Sequence, residues 1–425
     1  MRIIAIRAAA RRTLLAAGVL VAAAACTAAP DATPTAASGP HWVASWTSSP
    51  STPIPPEILP PGATTPQLEG NLRYLMRISA GGDSVRIAMS GGPSVPYLAI
   101  DGATIALSDA AGIKPDTMQK LAFNDQAGVT VLSGGTVWSD PVALSVAAGD
   151  VVAITLHLVE PVSPPQADKQ LVVSMLPGDD RTTDLALEGA TTIVARPLVT
   201  AILVDNPDVD RVIVAFGDSI TDGNGSNDPL MRGWPDYLAA RFRAEGLQNI
   251  AIANQGIGGN RLLEEGVLGE SALTRFDRDA LSVPGVTHII LMEGINDIGL
   301  SGLTLNGMSR SYRTLGTSDI VAAYSQLIDR AHARGVKIIG ATLTPDLGSF
   351  LPGYATDEKE VIRQMVNDWI RNESAFDAVI DFDAAIRDPQ DEGRLTDAYN
   401  SGDSIHPSDA GYRAMADAVD LELFQ

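Results

Sequence analysis

A three-layer α/β fold with a parallel sheet is predicted for residues 208–425, and a β-sandwich-like domain for residues 41–207 before it. A change of hydrophobic period separates the two. From His41 to about Pro207 apolar residues alternate with polar ones in short runs: Tyr74 to Ile78, Val85 to Met89, Val129 to Leu132 and Val151 to Leu156. Turn signals such as Gly81-Gly82-Asp83, Gly91-Gly92-Pro93, Gly134-Gly135 and Ala148-Gly149-Asp150 lie between them, and no long amphipathic helix interrupts the pattern. From Asp210 onward, continuous apolar runs at Val212 to Phe216, Ile250 to Ala253, His288 to Met292, Val336 to Ala341 and Ala378 to Ile380 read as buried strands. Helical patterns at Trp234 to Ala244, Ala272 to Leu281, Ser318 to Arg334 and Asp357 to Arg371 fall between them. A last helix is predicted from about Ser408 to Leu423, with Ser408 as its cap.

Two shorter segments precede these domains. Residues 1–26 carry basic residues ending in Arg11-Arg12, then an uncharged run from Thr13 to Ala25, then Cys26; this is the architecture of an export signal. An uncharged run of this length is too short to span a hydrocarbon core of about 30 Å. Cys26, the only cysteine, follows Val21-Ala22-Ala23-Ala24-Ala25 in a pattern that resembles a bacterial lipoprotein cleavage site, although Ala23 replaces the usual Leu. Cleavage after the small residues Ala23-Ala24-Ala25 without lipidation is the alternative. Arg11-Arg12-Thr13-Leu14-Leu15 also resembles a twin-arginine signal. The expected location is therefore outside a bacterial cytoplasm, either on the cell envelope through a lipid on Cys26 or in secreted or periplasmic form. Residues 27–40 are a Pro- and Ala-rich linker.

The formal charge of −21 becomes −25 once Arg2, Arg7, Arg11 and Arg12 are removed with the signal. Such a surface repels nucleic acid and anionic membranes, so neither is an expected partner. No His, Cys or Asp cluster has metal-ligand spacing, and one cysteine provides no thiolate site, so neither a metal nor another cofactor is expected.

The chemistry concentrates at strand ends. Phe216-Gly217-Asp218-Ser219-Ile220-Thr221-Asp222 follows the first apolar run and places Ser219 at the carboxyl end of a strand, where ligands collect in open α/β sheets. A serine hydroxyl needs a base, a group to orient that base and donors for the oxyanion. Of five histidines, only His406 has a carboxylate three residues earlier in a turn-like segment, Asp403-Ser404-Ile405-His406. One helical turn there would project both side chains from one side. The next two strand ends are polar and glycine-bearing: Asn254-Gln255-Gly256-Ile257-Gly258-Gly259-Asn260 and Glu293-Gly294-Ile295-Asn296-Asp297. Glycine lets a backbone N–H approach substrate, and an asparagine amide can donate beside it.

These four blocks, in order over residues 211–410, resemble the SGNH hydrolases of the GDSL esterase and lipase family. The resemblance implies a flavodoxin-like sheet and a serine esterase. By motif it makes Ser219 the nucleophile, Asp403 and His406 the rest of the triad, and Ser219 N–H, Gly259 N–H and Asn296 the oxyanion donors. Ile295 stands where the family commonly has a second glycine, and a slip of one residue in the loop would exchange Gly258 for Gly259. The β region, opening with His41-Trp42-Val43-Ala44-Ser45-Trp46-Thr47, is similar to that of a bacterial subgroup with acetylxylan-esterase-like proteins. That similarity implies an acetylated glycan or other short-chain ester as substrate. A long-chain lipase, or acyl transfer to a glycan acceptor by the same triad, is the competing expectation.

Other readings of the same residues are weaker. An α/β-hydrolase elbow needs glycine two residues after the serine, where Thr221 stands. A dinucleotide fingerprint at Gly256-x-Gly258-Gly259 fails at Arg261. Asp381 and Asp383 are expected to position a loop rather than to catalyse. Trp42, Trp46 and Trp138 are read as core before a sugar-stacking platform.

Overall fold

The computed structural model describes residues 39–52, 67–92, 95–165, 171–231, 233–266, 269–305, 308–309, 311 and 314–425. Cys26 and the export-signal segment lie outside the described residues. Pro40–Gln425 forms one compact unit.

The continuous apolar runs of the second half form a five-stranded, all-parallel sheet. From one edge its order is Ile250–Gly256, Arg211–Gly217, Val286–Met292, Lys337–Ala341 and Ala378–Ile380. In sequence terms this is 2-1-3-4-5, the flavodoxin-like order, whose switch point lies beside the first strand. Val212 to Phe216 are all fully buried, as a central strand covered on both faces requires. The helices Trp234–Ala244, Thr317–Ala333 and Asp357–Asn372 fall within a residue or two of their predicted bounds.

Two predicted helices are altered. Ala272–Phe276 is α-helical, but Asp277–Leu281 widens into a π-helix. That register leaves Arg275 and Asp279 both buried with 3.5 Å between them. The last helix starts as predicted, with Ser408 accepting from Gly411 N–H, yet stops at Asp417. Arg241 Nη1 donates to the carbonyls of Ala416 and Val419, and Asp420 caps a new 3-10 turn, Leu421–Phe424.

The first half is rich in strands, all antiparallel, in two sheets. One is built around Trp42–Thr47, Val199–Asp205 and Gly82–Met89, and the other around Val172–Leu176, Asn71–Arg77, Val151–Leu158 and Tyr97–Asp109. Alternation buries Leu72, Tyr74 and Met76 of one strand with Val152, Ile154 and Leu156 of its neighbour. These side chains share one continuous apolar cluster with Val212, Ile213 and Phe216 of the parallel sheet. Trp46 belongs to that core, whereas Arg86 lies 4.7 Å from the Trp42 ring and 4.9 Å from that of the more exposed Trp138.

The two halves also meet through hydrogen bonds at the strand that precedes the second block. Thr47 Oγ1 donates to Asn254 O at 2.9 Å, Ser79 Oγ to Ile252 O at 2.9 Å, and Ser49 Oγ to Gln255 Oε1 at 2.5 Å.

Candidate active site

Ser219 opens a four-residue helix, Ser219–Asp222, directly after the strand Arg211–Gly217. Asp218 caps this helix by accepting from Ile220 N–H at 2.9 Å. The turn is tight: a Cβ on Gly217 would lie 2.3 Å from Met292 O and 2.3 Å from Thr221 Oγ1. Only glycine permits the first and third strands to end this close to the nucleophile helix.

The structure brings Ser219, His406 and Asp403 together across 187 residues of chain. Asp403 Oδ2 lies 2.6 Å from His406 Nδ1, and Ser219 Oγ lies 2.8 Å from His406 Nε2. An ionised carboxylate only accepts, so the proton sits on Nδ1, and Nε2 is left to accept from the serine hydroxyl. The Asp403 segment is not a helical turn. Ser404 adopts φ +60°, and Asp403 Oδ1 accepts the N–H groups of Ile405 at 2.9 Å and His406 at 2.8 Å. Asn400 supports the turn by accepting from the N–H groups of Gly402 and Ser404. Burial alone would raise the Asp403 carboxyl. The His406 hydrogen bond and charge, with the two N–H groups, outweigh it and hold the group well below the ordinary carboxylate range.

The loops predicted to carry oxyanion donors leave the two strands that flank Ser219. Ile257 N–H donates to Gly217 O at 3.1 Å, and a turn closed by Asn260 N–H to Ile257 O places Gly259 at φ +70°. That conformation favours glycine. Asn296 Nδ2 donates to Asn260 O at 2.9 Å, which joins the second and third blocks. Its amide orientation is fixed by Tyr354, whose hydroxyl donates to Asn296 Oδ1 at 2.8 Å. Asp297 accepts from Leu262 N–H at 2.6 Å and Leu263 N–H at 2.9 Å, and so secures the far side of the same loop.

Under the site lies a charged layer that motif reading missed. Arg275, fully buried, donates to Gly217 O at 2.8 Å, Gln255 O at 2.8 Å and Asn260 Oδ1 at 2.7 Å, with its guanidinium 3.9 Å from the Phe216 ring centre. Buried Asp279 at 3.5 Å and Glu293 at 4.0 Å face it, and the buried carboxyls of Asp218 and Asp297 belong to the same layer. Burial pushes Asp218 up to about 7 against the Ile220 N–H, with the Asp297 charge adding to the rise, and pushes Asp297 up to about 6. Glu293 is raised well above its ordinary value by burial and then by Asp218.

The remaining candidates are structural. Asp381 accepts from Ala384 N–H and pairs with Arg371; Asp383 is buried against Arg363, Arg371 and Arg387. Among the described residues no group of three or more His, Cys, Asp or Glu side chains is placed to hold a metal ion.

No curated protein matches the chain. Among solved structures, a member of the lipolytic protein G-D-S-L family from Veillonella parvula is 24% identical, with 50% of this chain and 98% of that chain covered and a TM-score of 0.37. A GDSL-like lipase from Bacteroides thetaiotaomicron is 18% identical, with 49% and 85% covered and a TM-score of 0.37. A variant of an acetyl-xylooligosaccharide esterase from Geobacillus is 22% identical, with 49% and 91% covered and a TM-score of 0.36. The GDSL-like Lipase/Acylhydrolase family matches residues 215–414. That match begins inside the strand that presents Ser219 and ends inside the helix that follows His406. Residues 215–414 of this chain thus form a GDSL-like lipase/acylhydrolase domain, and the protein is an ester-hydrolysing enzyme.

Proposed function

We propose that the protein removes short acyl groups, acetate foremost, from a glycan through an acyl-enzyme on Ser219. The observation that carries the mechanism is the unbroken chain from Asp403 through His406 to Ser219, with both hydrogen bonds at 2.8 Å or less. Ser219 Oγ attacks the ester carbonyl while its proton passes to His406 Nε2, and Asp403 stabilises the imidazolium. The tetrahedral oxyanion is met by the N–H groups of Ser219 and Gly259 and by the Asn296 amide. Collapse breaks the bond to the alcohol, which leaves with the proton from His406. Water, deprotonated by the same nitrogen, then attacks the acyl-serine and releases the acid.

Two features support a short acyl chain and a sugar alcohol. Leu300, Tyr354 and Ile405 form a small apolar cluster apart from the main core, beside Asn296 and His406. These buried side chains give the site an apolar wall next to Asn296. Phe350, 66% exposed, is held beside the triad by its backbone N–H, which donates to Asp403 O, and is the aromatic side chain proposed to meet a pyranose ring.

Acid release from acetate and octanoate esters of one alcohol, and from acetylated xylan, tests both levels. Acetate is expected to be preferred, and Asn296→Ala to lower kcat by about 10² to 10³. Preference for octanoate would overturn the substrate assignment, and full turnover by Ser219→Ala the mechanism.

A further inference from the structure

We infer that Arg196, which lies in the strand-rich half and outside the matched domain, is a positioning residue for the esterase site. The inference rests on the role given to Ser219 above. Arg196 sits in the segment Ala195-Arg196-Pro197, where the chain crosses from the strand Thr191–Val194 of one antiparallel sheet to Val199–Asp205 of the other. Its side chain is wholly buried and reaches the carboxyl end of the parallel sheet. There Nη2 binds Asp222 Oδ2 at 2.7 Å, with both side chains only 1% exposed. Nη1 donates to Ser48 Oγ at 3.0 Å and lies 3.3 Å from Gly256 O and 3.4 Å from Ser49 O.

Those contacts join two parts of the catalytic constellation. Asp222 is the last residue of the helix that begins at Ser219. Gly256 ends the strand that runs into the Gly259 loop. The two already touch backbone to backbone, since a Cβ on Gly256 would lie 2.2 Å from Asp222 N. A planar guanidinium that grips Gly256 O with one nitrogen and the Asp222 carboxylate with the other fixes the helix against the loop. It thereby sets the spacing between the Ser219 N–H and the Gly259 N–H, the two backbone donors to one oxyanion. Donors of this kind work only within a few tenths of an ångström of the correct distance, and a displacement of about 1 Å can cost about 10² in rate. The ground-state ester does not occupy the oxyanion position, so the loss should fall on kcat and leave KM.

The test is steady-state kinetics on an acetate ester with Arg196→Met, Asp222→Asn, the double variant, Arg196→Lys and Ser219→Ala, each checked for native near-ultraviolet circular dichroism. Arg196→Met is expected to lower kcat about 10- to 100-fold with KM within about threefold, and Arg196→Lys to recover part of the loss. The double variant is expected to be no slower than the slower single one. A folded Arg196→Met with kcat within threefold of wild type, a change confined to KM, or multiplicative losses in the double variant would overturn the role. If Arg196→Met does not fold, Asp222→Asn decides on the same kcat criterion, because it keeps the side-chain shape and removes only the charge. An inactive Ser219→Ala beside an unimpaired Arg196→Met overturns Arg196 alone, whereas turnover in Ser219→Ala overturns the serine mechanism beneath it.

Discussion

Asp218 stands one residue before the nucleophile with Oδ1 bonded to Ile220 N–H and Oδ2 buried without a partner. Its carboxyl titrates near 7 in the folded chain against an ordinary value of 3.8, chiefly because burial disfavours the charge. A raised carboxyl stabilises the fold below its unfolded value and loses that contribution as pH climbs through the folded one. Between pH 4 and about 7, wild-type stability should therefore decline. Asp218→Asn keeps the capping oxygen and has no proton to lose. Chemical denaturation at pH 4.5 and pH 8 is expected to show a smaller loss for the variant, with the residue of the slope due to Glu293 and Asp297; equal slopes would dismiss the account. The same scale shows what a linear reading could recover. Ser219, Gly259, Asn296, Asp403 and His406 each sit in a short block whose neighbours share the task. Arg275 and Tyr354 do not, since Arg275 meets Gly217 58 residues away and Tyr354 meets Asn296 at the same separation.

At the scale of elements, the site is a junction of strand ends, and glycines determine how close they come. Gly256 is the tightest case. Any side chain there must push against the Asp222 amide, so Gly256→Ala is expected to destabilise the protein by about 1–3 kcal/mol and to lower kcat in the fraction that folds. Thermal unfolding together with turnover per folded molecule would check it, and an unchanged melting point would refute it. Parallel strands were legible because burial on both faces writes them as unbroken apolar runs. The last helix ends earlier than its sequence predicts because the periodicity continues past Asp417, while its end is fixed by Arg241, far away in sequence, and by the local cap at Asp420. The Asp403 segment carries no periodic signal at all. Its shape comes from side-chain oxygens of Asp403 and Asn400 holding backbone N–H groups around Ser404.

For the whole molecule, the apolar cluster that runs from the antiparallel sheets into the parallel one makes separate unfolding of the halves costly. Scanning calorimetry of Pro40–Gln425 is expected to give one transition with equal calorimetric and van't Hoff enthalpies. Two resolved transitions would contradict it. The change of period near residue 208 was visible in sequence, but nothing local announced that buried polar groups cross it, because each half supplies only one partner. Arg196 shows the consequence in time. During synthesis it emerges 26 residues before Asp222, and the Gly256 carbonyl follows later still. Until they arrive only Ser48 and Ser49 are available to it, and no carboxylate offsets the cost of burying its charge, so the crossover Ala195-Arg196-Pro197 is expected to stay open to water. The crossover of the strand-rich half is therefore expected to settle only after the segment bearing the nucleophile has been made.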